Sequence, residues 1–360
     1  MSPTLFASPT HRCWAEIDLA AIRHNLAAIQ TQIGATSKIM AIVKADAYGH
    51  GLGGILTTLS ESVEHFGVAN VGEALDVRAV LPEAEILLLG ATLPDERETV
   101  VRHGFMPAIS TLEEAEIFNR LGPTRVHLAL DTGMGRLGFL PGEWPAALAK
   151  IRQLTNLKIE AVATHLPSAD EDEEFTRSQL KMFEALTTEE PLMHILNSAG
   201  IINFPTHGAQ IVRAGIMLYG VSPVPFFQPK LMPVMTLKSR VTLLRTLPAG
   251  HGISYGGTFH TNRPTRVATI SAGYADGYQR RLSNRGAAVW IRGQQCPVLG
   301  RVTMDQIMVD ATDCGAELGD EVELFGRQVL AGEIAQLADT IPWEILTGIS
   351  KRVPRIFLNS

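Results

Sequence analysis

The 360-residue chain has only three cysteines, Cys13, Cys296 and Cys314, and none shares paired metal-ligand spacing with another. So odd and sparse a set argues against both a disulfide framework and a zinc site. No apolar run approaches the roughly 20 residues of a membrane-spanning helix. The segment Met1–Cys13 lacks the charged-then-apolar pattern of a leader, so no targeting segment is expected. Basic residues are dispersed, and 31 Lys and Arg against 37 Asp and Glu leave a formal net charge of -6. That balance provides no positive field for nucleic acid or an anionic membrane. The expectation is a cytoplasmic protein that binds neither nucleic acid nor a membrane.

What the chain does have is alternation. Short apolar runs near 38–43, 65–69, 85–89, 105–109, 125–130, 159–164, 192–196 and 211–214 are separated by amphipathic segments. Those segments include Val71–Val80, Asp95–Arg102, Thr111–Leu121, Glu143–Leu154 and Glu173–Leu186. Thr111-Leu112-Glu113-Glu114 has the form of a capping box, and Gly122 that of a helix stop. Phe175, Leu180, Phe183 and Leu186 recur near helical spacing, with charges on the other face. Eight strand-then-helix units predict an α/β fold with a parallel (β/α)8 TIM-like barrel, because each parallel pairing needs a crossover helix. No G-x-G-x-x-G follows the first run, against a dinucleotide-binding open sheet.

After about residue 230 the pattern changes. Leu237–Leu247, Arg266–Ile270, Ala287–Arg292 and Glu321–Leu324 are strand-like, and helices are nearly absent until Ala331–Ala338. A mostly antiparallel β-domain over 231–360 is expected, after a barrel domain over 1–230 that includes a helix-like Leu19–Gln32. The Pro-rich stretch 222–229 reads as the linker.

Function in a parallel barrel collects at the carboxyl ends of its strands. Here Lys44 follows the first run, Arg136 the fifth, His165 the sixth, Asn197 and Ser198 the seventh, and Arg213 with Gly215 and Ile216 the eighth. A lysine losing hydration at a buried strand end has a lowered pKa and becomes a Schiff-base former. Tyr48, Ser198 and the amides around Gly215 and Ile216 can hold a phosphate without a strong cation. The fork of Arg136 suits a carboxylate or phenolate. An aldehyde, a phosphate and a phenolic oxygen together describe pyridoxal phosphate.

The segments Ala41–Gly51, Asp131–Gly138, Asn197–Gly200, Arg213–Gly220, Gly252–Gly257, Ala272–Arg281, Gly300–Asp310 and Arg352–Arg355 resemble, in order, those of the alanine racemase family. The resemblance covers nearly the whole chain. It implies a homodimer with a shared active site, pyridoxal phosphate as cofactor, and racemisation of alanine to supply D-alanine for peptidoglycan. It makes Lys44 the cofactor lysine and one base, and Tyr255 of the partner subunit the other. Tyr48, Ser198, Gly215 and Ile216 match phosphate contacts, His165 and Asn197 line the cofactor, and Arg213 meets the pyridine nitrogen. Arg136, Met304 and Asp305 fall to the substrate, and Tyr274 to an entry corridor.

Three positions depart from the family. Ala129 stands where many members carry a lysine braced against the arginine, so another polar side chain or a bound anion must orient Arg136. Thr303 replaces a common cysteine, and Lys351 a common tyrosine. Racemisation of serine or of a broader set of amino acids, and a non-catalytic cofactor carrier, are the alternative readings. Amino-acid decarboxylation fits less well, since it calls for an acidic partner at the position of Arg213.

Overall fold

The computed structural model describes residues 11–188, 192–204 and 210–359. Residues 1–10, most of the stretch inspected above for a leader, lie outside them. No described helix is long and apolar enough to cross a membrane.

Eight parallel strands close into a barrel: Lys38–Ile42, His65–Val68, Glu85–Leu88, Met106–Ile109, Thr124–Ala129, Leu157–Ala163, Met193–His194 and Ile211–Ala214. Each falls on one of the eight apolar runs, and the eighth pairs with the first from Lys38↔Ile211 to Ala41↔Ala214. These strands read as continuous apolar runs because helices cover one face and the filled interior covers the other. Met40, Phe66, Val68, Ile86 and Leu87 are accordingly fully buried, each burial stabilising by roughly 1.5–3 kcal/mol. The seventh strand shrinks to two residues, and only His194 pairs onward, with Ile211.

The helices follow their start signals. Asp172 accepts the Phe175 amide at 2.9 Å and starts Glu173–Leu186, a cap whose loss costs about 1 kcal/mol. Thr176, Gln179, Leu180 and Phe183 form its buried face, while Phe175, expected there, remains exposed at the edge. The expected capping box at Thr111 closes by half. Thr111 accepts the Glu114 amide at 3.1 Å, but the Glu114 carboxylate turns to the Ser110 amide at 3.1 Å and the Thr92 hydroxyl at 3.2 Å.

The second sheet has eight strands, in the order Thr265–Ile270, Ile307–Asp310, Gln294–Leu299, Ala288–Ile291, Glu321–Phe325, Met235–Leu247, Cys13–Asp18 and Arg355–Leu358. Thr265–Ile270 also pairs with Met235–Leu247, so six strands close on themselves. One pairing is parallel, Cys13–Asp18 with Arg355–Leu358. The sequence reading grouped the whole N-terminal segment with the barrel; its first strand belongs instead to this sheet, antiparallel to Met235–Leu247. Apolar side chains at Trp14, Ala15 and Ile17, all fully buried, drive that pairing. The helix Leu19–Ile33 follows at once and packs on the barrel side, where Asn25 donates to Leu218 O at 3.1 Å and Met232 O at 2.9 Å. The Pro-rich stretch read as a linker is packed: Phe227 is buried, and Gln228 holds the Ser222 amide at 2.8 Å and the Gly220 carbonyl at 3.0 Å.

Candidate active site

A cavity of about 560 Å³ opens at the carboxyl ends of the barrel strands. Lys44, Tyr48, Arg136, His165, Asn197, Ser198, Arg213, Gly215 and Ile216 all line it. Thr164, beside His165 at the end of the sixth strand, joins them, as do Trp343 and Leu87, which had not been singled out from the sequence. Trp343 comes from the helix Pro342–Thr347 of the β-domain, which rests on the lysine turn. A Cβ at Gly49 would lie 2.3 Å from the Leu346 carbonyl oxygen, so that close approach requires glycine.

Lys44 is half-buried, and the four residues after it run left-handed. Ala45, Asp46, Ala47 and Tyr48 have φ of 53°, 54°, 52° and 54°. This conformation costs non-glycine residues roughly 1–2 kcal/mol each, so the surroundings must hold it. Asp46 Oδ1 accepts the Leu52 amide at 2.8 Å. His50 Nδ1 lies 3.0 Å from both the Ala47 and Tyr48 carbonyls, and Arg355 Nε donates to Gly49 O at 3.0 Å. Glu73 accepts the Ala45 amide at 2.8 Å. Gly49 and Gly51 follow this run, but the strained positions themselves carry side chains.

The turn points Tyr48 at Gly215. A Cβ at Gly215 would come within 2.7 Å of the Tyr48 hydroxyl oxygen, so the cradle exists only with glycine there. Ser198 Oγ accepts the Gly215 amide at 3.1 Å, which leaves its own hydrogen to donate. Tyr48 stacks on Tyr219 with centroids 4.8 Å apart, and Tyr219 is fixed by donating to Ile42 O at 2.9 Å. Burial pushes the Tyr48 phenol up to about 12, so it stays a protonated donor. Asn197 acts as a brace: it caps Ser198–Asn203 through the Gly200 amide at 2.9 Å and donates to Leu166 O at 2.8 Å.

Arg213 is 5% exposed and crosses the cavity floor. Nη1 donates to His194 O at 2.6 Å and His194 Nδ1 at 2.7 Å. Nη2 donates to the carbonyls of Thr164 at 2.8 Å and Ile195 at 3.0 Å, and lies 3.2 Å from His165 Nδ1. Arginine has no acceptor, so His194 Nδ1 must be unprotonated. Its proton therefore sits on Nε2, 2.8 Å from His127 Nδ1. Burial, then the neighbouring Arg213, holds His194 well below its usual range, and burial with Arg213, Arg136 and Lys44 takes His165 down to about 3. Arg213 itself is lowered to about 10, chiefly by burial and then by Arg136, and remains a cation at neutral pH.

Burial, followed by Arg136, lowers the Lys44 amine; Glu73 opposes the shift and Arg213 adds to it. Asp131 shapes the loop that presents Arg136, accepting the amides of Gly133, Met134 and Gly135 at 2.8–3.1 Å. No side chain among the described residues hydrogen-bonds Arg136, and Ala129 contributes only a small apolar wall to the cavity.

The remaining predicted residues lie elsewhere. Tyr255, Tyr274, Met304 and Asp305 belong to the β-domain, and none lines this cavity. Tyr255 is 69% exposed on a fixed turn, where Ser254 donates to Arg301 O at 2.6 Å. Tyr274 and Met304 sit on loops tied by the Tyr274 amide to Thr303 O and the Ala275 amide to Met304 O, each at 3.0 Å. Asp305 is held by Arg352 at 2.8 Å.

Residues 17–223 match the family described as alanine racemase, N-terminal domain, and residues 234–357 its C-terminal domain. The chain is 42% identical over 371 residues to an alanine racemase of Halothermothrix orenii, covering 97% of this chain and 98% of that one. It is 43% identical over 365 residues to one of Symbiobacterium thermophilum, covering 96% of each. The biosynthetic alanine racemase structure from Pseudomonas aeruginosa superposes with a TM-score of 0.92 at 34% identity, covering 97% of this chain and 100% of that one. Barrel, β-domain and cavity together are thus those of an isomerase acting on an amino acid. The chain belongs to the alanine racemase family, and its cofactor is pyridoxal phosphate. The cavity suits that group: the Tyr48–Gly215–Ser198 cradle presents hydroxyl donors, Arg213 lies across the floor, and Lys44 has a lowered basicity.

Proposed function

We propose that the chain interconverts L- and D-alanine with two proton-handling groups, Lys44 on one face of the substrate and the partner subunit's Tyr255 on the other. The observation that carries this reading is the separation within one chain: Lys44 lines the cavity, while Tyr255 stands exposed on a fixed loop outside it. A homodimer, each copy lending its tyrosine to the other's cavity, resolves that separation.

When bound, pyridoxal phosphate supplies the electron sink that makes the α-hydrogen of an amino acid removable. Tyr48 and Ser198 hydroxyls and the backbone at Gly215 and Ile216 anchor its phosphate. Lys44 holds the cofactor and then, as a neutral amine favoured by burial and Arg136, takes or returns a proton at Nζ. The phenol of Tyr255 does the same from the opposite side. His165 and Asn197 position the ring, and Arg136 takes the substrate carboxylate, with Met304 and Asp305 of the partner subunit closing the pocket. Arg213 donates a hydrogen bond to the ring nitrogen but keeps its proton. Because Arg213 keeps its proton, it would temper the electron sink that the bound cofactor supplies, which favours racemisation over transamination. The product fits a cytoplasmic supply of D-alanine for peptidoglycan.

Incubation with L-alanine in deuterated water tests the two-base part. The first D-alanine formed should carry deuterium at Cα, because its hydrogen comes from a different group than the one that removed the original. D-Alanine that retains the substrate hydrogen would indicate a single base.

A further inference from the structure

Glu73 belongs to the helix Val71–Val80, outside every motif singled out above. Asn70 starts that helix by accepting the Glu73 amide at 3.0 Å, which turns the Glu73 side chain back toward the barrel mouth. One carboxylate oxygen accepts the Ala45 amide at 2.8 Å, and the other the Ala69 amide at 2.7 Å. Ala45 is the first left-handed residue after Lys44, and Ala69 follows the next barrel strand, His65–Val68. A single side chain therefore ties the lysine turn to the neighbouring strand end, and a carboxylate can do this because it only accepts.

We propose that Glu73 is a positioning residue for the reaction: by bridging Ala45 and Ala69 it holds the left-handed turn that aims Lys44 into the cavity, and it places a negative charge beside that amine. The proposal rests on the reading of Lys44 as the cofactor lysine. The charged and titratable groups around the amine are Arg136, Arg213 and His165 from the barrel ends, Asp46 and Tyr48 from the turn, and Glu73 from the second helix. Asp46 is engaged with the Leu52 amide. Against the two guanidinium groups of Arg136 and Arg213, Glu73 is the carboxylate that raises the basicity of Lys44.

The test is covalent trapping. Cofactor-free protein is mixed with pyridoxal phosphate and reduced with borohydride, and the labelling rate of the Lys44 peptide is followed by mass against pH. In Glu73→Gln the midpoint of that profile should move to lower pH and the plateau rate should fall several-fold. In Glu73→Asp, which keeps the charge but is too short to span both amides, the midpoint should hold while the rate falls. A lower melting temperature with both profiles unchanged would make Glu73 merely structural and overturn the proposal. Should Glu73→Gln not fold, unchanged rate and midpoint in Glu73→Asp overturn it equally. Labelling of another lysine in the wild-type protein would overturn the Lys44 reading as well, whereas identical profiles at Lys44 overturn this proposal alone.

Discussion

The barrel mouth and the surface of the β-domain handle their functional residues in opposite ways. At the mouth, two elements are over-determined: Arg213 makes five hydrogen-bond contacts, and the lysine turn is held by Asp46, His50, Glu73 and Arg355. On the β-domain, Tyr255 and Met304 are 69% and 52% exposed, and their backbones are fixed while their side chains are not. A site built inside one chain must neutralise or restrain its own charges. Under the proposed shared site, groups that serve another copy's cavity need only a rigid base from which to reach it.

Substitutions should separate the two regions. Lys44→Ala should have the largest effect, removing covalent cofactor attachment together with one base. Tyr255→Phe should lower kcat by roughly 10²–10⁴-fold, the range for losing a general acid or base, while cofactor absorbance stays intact. A Tyr255→Phe protein that also lost its cofactor would break the division between a barrel that binds and a β-domain that only reaches.

Gly215→Ala should act on the barrel alone. Its methyl would sit 2.7 Å from the Tyr48 hydroxyl, so cofactor affinity should fall about tenfold, a cost of about 1.4 kcal/mol. Dimer formation, read by sedimentation, should not change. Unaltered affinity would remove the Tyr48–Gly215 cradle from the phosphate site.

Acid should discriminate more gently. Burial is the main cause that lowers His50 to about 4 and His127 and His165 to about 3, each from 6.5. Unfolding frees them to take up protons, so their contribution to stability is complete above 6.5 and declines as pH falls toward those values. The β-domain's His251 and His260 are exposed. Between pH 7 and 5 hydrogen-exchange protection should therefore fall more in the barrel strands than in Met235–Leu247. Equal losses would contradict the asymmetry.

Much of this was legible in the sequence, and unevenly so. The eight barrel strands announce themselves as apolar runs because both faces are buried. In the second sheet Gln294–Leu299 contains Gln294, Gln295 and Pro297, and only Cys296 and Leu299 are buried, so no run or alternation marks it. Cys13–Asp18 becomes a strand only because Met235–Leu247 is there to pair with it. Motif residues located the cavity lining, yet Trp343 and Glu73 carried no local signal, since each reaches the site through tertiary packing. Nor does any local preference disclose the left-handed run Ala45–Tyr48, whose conformation is imposed by four side chains outside its own φ preferences.

The central claim is that one active site takes Lys44 and Tyr255 from different copies of the chain. Mixing inactive Lys44→Ala and Tyr255→Phe proteins, with subunit exchange, tests it directly. If the site is shared, each hybrid dimer contains one cavity with both groups intact, and about a quarter of wild-type activity should return at random assortment. No recovery from demonstrably hybrid dimers would mean that both groups act from the same chain, and the account would be wrong.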